Sequence, residues 1–405
     1  MKDPLEEATV EVSRGRATQA LIAIVIGLVL LAIFSPGART PLAIVFGLVL
    51  MVMLHEAGHY VAAKRTGMKV TEFFVGFGPR LWSFRRGETE YGVKAIPAGG
   101  YVRIIGMNNI EVVDPEDEPR TYRAARYRDR LIVVLAGVTV NIVIAFLLFG
   151  AVIVGHGIAE PSTTVSRITL DSAAHVAGLQ AGDKIVAIDD QRVDSWDQLK
   201  SAIEVRGGDE ATITVVRDGA TQEFTTTIGE QAGQGFLGVG PTTVYASVSP
   251  IAAVPKALEA VKDVSVGTAE ALGNFFSPSG VAEYSKNFTS AAPESGSTAD
   301  LERPRSIIGI IDEGSSIVGG DIWALLWLLG GISLILALFN LIPLPPFDGG
   351  HAAIVGYEWA ASKITGRKVE ADYKKLMPVA AIVLAFFLTL SLSAMFLDVR
   401  QVIGQ

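Results

Sequence analysis

The sequence predicts a polytopic α-helical membrane protein of about five spans, with an α+β domain inserted on the extracytoplasmic side. Three observations predict this class. Five apolar runs of membrane length lie at about 18–34, 41–63, 131–155, 322–343 and 377–397. Basic residues are unevenly divided among the segments between those runs. The longest interval, 156–321, is patterned as a water-exposed domain. Composition agrees: 405 residues, 50% hydrophobic, with a mean hydropathy of +0.40.

Residues 1–40 form an N-terminal tail and an extra span. Arg14 and Arg16 precede the run at 18–34, as they would in a signal peptide. Pro36 and Ala38 make a poor A-x-A cleavage site, so the run is expected to be a retained anchor. Residues 41–155 supply the first part of a membrane core. Its loop 64–130 carries thirteen Lys and Arg, and the loop 351–376 carries five. The segment 156–321 has eleven basic and twenty-three acidic residues, a net of −12 within a chain of net −8. Positive loops stay inside. The two basic loops are therefore expected in the cytoplasm and 156–321 outside, with the N-terminus inside and the C-terminus outside. The arginines of 120–130 read as charge flanking a span, and no nucleic-acid partner is expected.

Residues 160–230 read as one soluble domain. Val165–Ile168 is strand-like, 173–183 a short helix and turn, and Lys184–Asp189 an alternating strand. Ser195 caps a helix near Trp196–Val205. The runs 211–217 and 222–228 form a hairpin through Asp218-Gly219. The order Ala-Gly-Leu-Gln-Ala-Gly-Asp-Lys-Ile-Val-Ala-Ile at 177–188 resembles a PDZ domain. That resemblance implies an extended peptide or chain end as ligand, added to a sheet edge. Residues 231–321 are a connector, with a further strand at 235–240, helical periodicity over 255–274 and a Ser/Gly/Pro-rich loop over 280–305. Residues 322–405 complete the membrane core.

Two motifs carry chemistry. The first is His55-Glu56-Ala57-Gly58-His59, at the end of the second apolar run. On a helix, positions i and i+4 share a face, so His55 and His59 can offer two imidazole nitrogens to one metal ion. Glu56 beside them is placed to act as general base on a water at that metal. An ionisable residue in a membrane helix costs roughly 2.5–3.5 kcal/mol on insertion scales, so three in five positions point to a function. The second motif is Asn340-Leu-Ile-Pro-Leu-Pro-Pro-Phe-Asp348-Gly-Gly-His351. Its prolines break a helix at membrane depth, which is tolerated only in a protein-lined site. Asp348 can complete a two-His, one-carboxylate set with a fourth position left for water, and His351 is the rival ligand. The chain has no cysteine, so metal ligands must be nitrogen and oxygen.

Together these motifs resemble the site-2 proteases, intramembrane zinc metalloproteases of membrane-anchored regulatory proteins. Gly76-Phe-Gly78 with Trp82, and then 90–102, look like the family's membrane-associated β segment. Ala136-Gly137 with Asn141 is similar to its A-G-P-x-x-N segment, with Val138 where proline is usual. A single PDZ domain is similar to the short bacterial branch. The resemblance implies one Zn2+ per chain, held by His55, His59 and Asp348, with Glu56 as the catalytic base. It implies that Asn340 and Asn141 orient substrate. A strand through Gly99, Gly100 and Tyr101 would hold an unwound substrate extended. Substrates would be single-span membrane proteins, such as anti-sigma factors, or remnant peptides, in the bilayer of the inner (plasma) membrane. Two other classes stay open on the residues alone: a catalytically silent membrane adaptor and a metal transporter. Neither calls for Glu56 beside the histidines.

Overall fold

The computed structural model describes residues 14–286, 288 and 304–403. The chain divides into two compact units, Met1–Val152 with Val254–Gln405, and Ile153–Ala253. Residues 1–13 of the expected N-terminal tail lie outside the described residues.

In the first unit, four helices are long and apolar enough to cross a membrane: Pro36–Arg65, Tyr127–Gly155, Ile322–Asn340 and Tyr373–Arg400. The expected span at 18–34 is also helical, but its apolar part, Thr18–Phe34, is shorter. Seventeen residues rise only about 26 Å, against a hydrocarbon core of roughly 30 Å. Among the described residues, length and composition thus mark four such helices, with the run at 18–34 just below that length.

Pro36 opens the Pro36–Arg65 helix at a position where its missing N–H is no loss, and Lys64 and Arg65 lie in its last turn. Ile44, Gly47, Met51, His55 and Ala62 are buried at helical spacing. Phe46 and Leu50 are exposed, the latter two on the face an apolar solvent would cover. The inward stripe therefore carries His55 with it.

Next come two long strands, Val70–Arg86 and Thr89–Ile104, antiparallel and irregular in register. Each bends, so residues 72–75 pair with 90–93 on one side and with 100–103 on the other. Residues 82–86 pair with 89–93. The result is a small sheet of four segments in the order 82–86, 89–93, 72–75 and 100–103, with 100–103 at one edge. At its turn, Glu88 accepts bonds from Arg120 at 2.7 and 2.8 Å and also from Lys64, the latter at the end of the preceding helix. These pairs hold the Glu88 carboxyl down at about 2, Arg120 first. The arginines of 120–130 are largely spent in such contacts: Arg123 pairs with Glu118 and Arg130 with Glu358.

The Ile322–Asn340 helix stops before Pro343, Pro345 and Pro346, three residues short of the expected end. Proline cannot donate to a helical ladder, and a new helix, Asp348–Thr365, begins after it. Asp348 is thereby set at a helix start.

The second unit is built on a sheet whose strands run Val239–Ala246, Ile158–Ile168, Lys184–Ile188, Glu210–Arg217, Ala220–Thr227, with Gln191–Arg192 beside Lys184–Ile188. Asp218 and Gly219 take positive φ in the tight turn between two of them. Ser195 caps Trp196–Glu204, as its position in the sequence suggests. Ile185, Ile188, Leu199, Ile213 and Val215 are wholly buried between sheet and helices. Asp183, also buried, takes two bonds from Arg217 at 2.6 and 2.7 Å.

The boundary expected at 230 is corrected to beyond 246. Val239–Ala246 pairs antiparallel with Ile158–Ile168, closing the sheet with a partner more than seventy residues away. After it come the helices Pro250–Phe275 and Pro278–Lys286. The loop expected over 280–305 is therefore helical at its start, and its residues 289–303 lie outside the described residues.

Candidate metal and active site

Three polar atoms meet inside the first unit. Nε2 of His55 lies 3.2 Å from Nε2 of His59, and each lies 3.3 Å from Oδ2 of Asp348. His55 is 6% exposed. These three form the one cluster of metal-ligand type among the described residues.

The tautomers are set from behind. Nδ1 of His59 lies 2.7 Å from the carbonyl oxygen of Val133, which can only accept, so Nδ1 carries the proton. Nε2 then offers its lone pair to the centre. Nδ1 of His55 lies 3.3 Å from Nδ2 of Asn141, whose Oδ1 is buried without a partner, and a flip of that amide exchanges the two atoms. With Oδ1 turned to the ring, that oxygen accepts the Nδ1 proton and frees Nε2 of His55 as well. Oδ2 of Asp348 is buried without a hydrogen-bond partner. Three electron-rich atoms pointed at one another repel unless a cation sits among them. A tetrahedral zinc ion with bonds of about 2.0–2.1 Å sets its donors about 3.3–3.4 Å apart. The triangle found here has that size, so the residues fit zinc.

The backbone of the Tyr127–Gly155 helix makes room for this. A Cβ on Gly137 would stand 2.7 Å from both Cε1 and Nε2 of His55, and closer still to His59. Only glycine lets the helix lie against both rings. Arg130, Val133, Gly137 and Asn141 follow at intervals of three and four, one stripe facing the ligands.

Glu56, His351 and Asn340 line a cavity of about 310 Å³ with the three ligands. Val102 closes another side, beside Glu56. Strand 100–104 therefore borders the site. Gly100 lies so close that a Cβ there would be 3.1 Å from Sδ of Met53 and 3.3 Å from Cγ of Glu56. Gly99 precedes it with φ +140°. The Tyr101 ring stacks on Phe74 and Phe77, with its hydroxyl bonded to Glu72 and taking a bond from Lys94 at 2.6 Å. Burial first, and then Glu72, push that phenol up, so it stays protonated.

Of the residues singled out in the sequence, His55, Glu56, His59, Asp348, His351 and Asn340 converge on one cavity. Asn340 also donates to the Leu336 carbonyl of its own helix at 3.1 Å. Asn141 is placed differently from expectation. It is fully buried behind His55 and outside the lining of this cavity, so in this structure it contacts the ligand. His351 stands outside the donor triangle, with Nδ1 buried and unpaired. Sequence reasoning missed Val133, which acts through its carbonyl and so leaves no side-chain signature, and the Arg130–Glu358 pair.

A family model described as peptidase family M50 matches residues 43–388. The chain belongs to that family. Among its relatives is the zinc metalloprotease Rip1 of Mycolicibacterium smegmatis, 33% identical over 385 residues, covering 84% of this chain and 93% of the relative. Rip1 of Mycobacterium tuberculosis is 34% identical over 385 residues, with 83% and 91% covered. The metalloprotease MmpA of Caulobacter vibrioides is 28% identical over 354 residues, with 79% and 87% covered.

Proposed function

We propose that this M50 peptidase hydrolyses peptide bonds in or near the transmembrane segment of single-span, membrane-anchored regulatory proteins, with anti-sigma factors or remnant peptides as the substrates. The chain is a zinc metalloprotease and a membrane protein. The observation that carries the reading is the triangle of His55, His59 and Asp348 beside Glu56, bordered by an open strand edge.

His55, His59 and Asp348 would hold the zinc ion. When bound, it supplies a Lewis acid that polarises the scissile carbonyl and lowers the pKa of a water toward about 7. Glu56 takes the proton from the attacking water and passes it to the leaving amine. Asn340, on the cavity wall, orients substrate backbone. Asn141 and the Val133 carbonyl hold the two imidazoles in the right tautomer.

A helical substrate hides its amides in internal bonds and must be extended before attack. The edge at Gly99, Gly100 and Tyr101 offers backbone partners for that, and backbone pairing is indifferent to substrate side chains. The basic loops face the cytoplasm and the sheet unit lies outside, across the inner membrane. That unit is PDZ-like and takes an extended peptide or a chain end, filtering substrates before they reach the site.

The test uses the full chain in detergent with a single-span anti-sigma factor as substrate. Glu56→Gln should keep about one zinc per chain and lose cleavage by roughly 10²–10⁴-fold. Asp348→Ala or His59→Ala should lose the metal as well. Cleavage at the wild-type rate by Glu56→Gln would remove the assigned base. Zinc bound by a wild-type protein that cuts nothing would return the adaptor and transporter readings.

A further inference from the structure

We propose that the Arg130–Glu358 ion pair is a positioning device for the metal site, setting the register of the Asp348 helix against the helix that orders His59. The inference rests on the ligand assignment above.

Nη1 of Arg130 donates to Oε2 of Glu358 at 2.6 Å, and both side chains are almost completely buried, 4% and 3% exposed. Oε1 of Glu358 takes the N–H of Ala371 at 2.8 Å. The guanidinium lies over the Tyr122 ring at 4.8 Å. The pair thus joins three stretches far apart in the chain: the first turn of the Tyr127–Gly155 helix, the helix after the proline break, and the segment before the last span.

Its place relative to the ligands gives it meaning. Asp348, His351, Val355 and Glu358 follow at intervals of three and four on Asp348–Thr365, one stripe of that helix. Opposite is the stripe Arg130, Val133, Gly137, Asn141, which backs both histidines. Between the two ends the contact is made by Val133, Val134 and Val355, in one apolar cluster. Apolar contacts have no direction and tolerate sliding. A slide of one residue moves a helix by about 1.5 Å, whereas metal bonds tolerate about 0.2 Å. Something directional must fix the register, and Arg130–Glu358 is the buried charged contact that can, with the Tyr127 and Ser362 hydroxyls 2.9 Å apart one turn further out. Stability does not explain it, because buried pairs are often replaceable by apolar residues of similar volume without loss.

The experiment uses the full chain in detergent, loaded with zinc or with cobalt(II), whose absorption spectrum reports ligand geometry. Arg130→Met and Glu358→Gln should weaken zinc retention against a chelator about 10–100-fold. They should also shift the cobalt spectrum, and lower kcat more than they change KM. Arg130→Lys, which keeps the charge, should recover most of the loss. Glu358→Gln keeps the volume and an acceptor, and serves should Arg130→Met fail to fold. Arg217→Ala, which breaks the buried Asp183 pair of the other unit, is the control: it should lower stability and leave the cobalt spectrum alone. Variants that melt earlier but keep wild-type zinc affinity and cobalt spectrum would overturn the positioning role. A wild-type chain that took up neither metal would overturn the ligand assignment itself, and this inference with it.

Discussion

Gly137→Ala is the smallest change that should dismantle the metal site. The new methyl would stand 2.7 Å from Cε1 and Nε2 of His55, where ordinary contact begins at 3.4 Å. The tightest contact, 2.4 Å to Nε2 of His59, requires a shift of about 1.0 Å by one side or the other, against a metal-bond tolerance of about 0.2 Å. The rings cannot simply swing away, because Val133 and Asn141 hold them from behind. Zinc affinity should fall at least 100-fold, about 2.7 kcal/mol. Fold stability should change less. Alanine gains about 1 kcal/mol over glycine in a helix interior, against an overpacking cost of about 1–3 kcal/mol. The assay is chelator competition on the folded protein, with thermal unfolding of the apo form alongside. An alanine variant that unfolds as wild type and also keeps wild-type zinc affinity would refute the claim that this helix is packed directly on the ligands.

Three further outcomes follow from the geometry. Cysteines placed at Arg85 and Asp218 test the orientation in a chain that has no cysteine of its own: a membrane-impermeant thiol reagent added to intact cells should label position 218 and spare 85, and the reverse would invert the topology. Glu88 has its carboxyl lowered from 4.5 to about 2, so the stability it gives the sheet is complete above about pH 4.5 and lost as pH falls toward 2; hydrogen-exchange protection over residues 70–104, taken relative to the intrinsic rate at each pH, should fall across that window, and Glu88→Gln should abolish that fall. Gly100→Val should slow cleavage of a helical substrate more than of a short unwound peptide while zinc content stays at wild type, and equal losses on both would show that the strand does not hold substrate extended.

Local sequence carried the parts of the fold whose physics is local. Span-length apolar runs, the Asp218-Gly219 turn, the Ser195 cap and the proline break after Asn340 each depend on a few neighbouring residues, and each stands where the sequence points. Pairing between distant segments was not legible. The strand Val239–Ala246 is short, half exposed and next to glycines, and only its partner Ile158–Ile168 makes it part of the sheet. The doubled pairing of residues 72–75 depends on two bends that no periodicity announces.

The site divides along the same line. His55 and His59 declare themselves by helical spacing, and Asp348 by a carboxylate at a broken helix. What holds them is a carbonyl, a missing side chain and an ion pair: Val133, Gly137 and Arg130–Glu358. None has a spacing rule relative to the ligands in sequence, because each acts across a helix interface. Asn141 shows the consequence. Its amide can serve a substrate or a ligand equally well by chemistry, and only its full burial against His55 decides for the ligand. Three of the four positions of that helix face, Val133, Gly137 and Asn141, back the two imidazoles. The proposal that strand 100–104 holds the peptide draws on the other wall of the cavity, where Gly100, lacking a side chain, brings backbone close to Glu56 beside Val102 and Ile104.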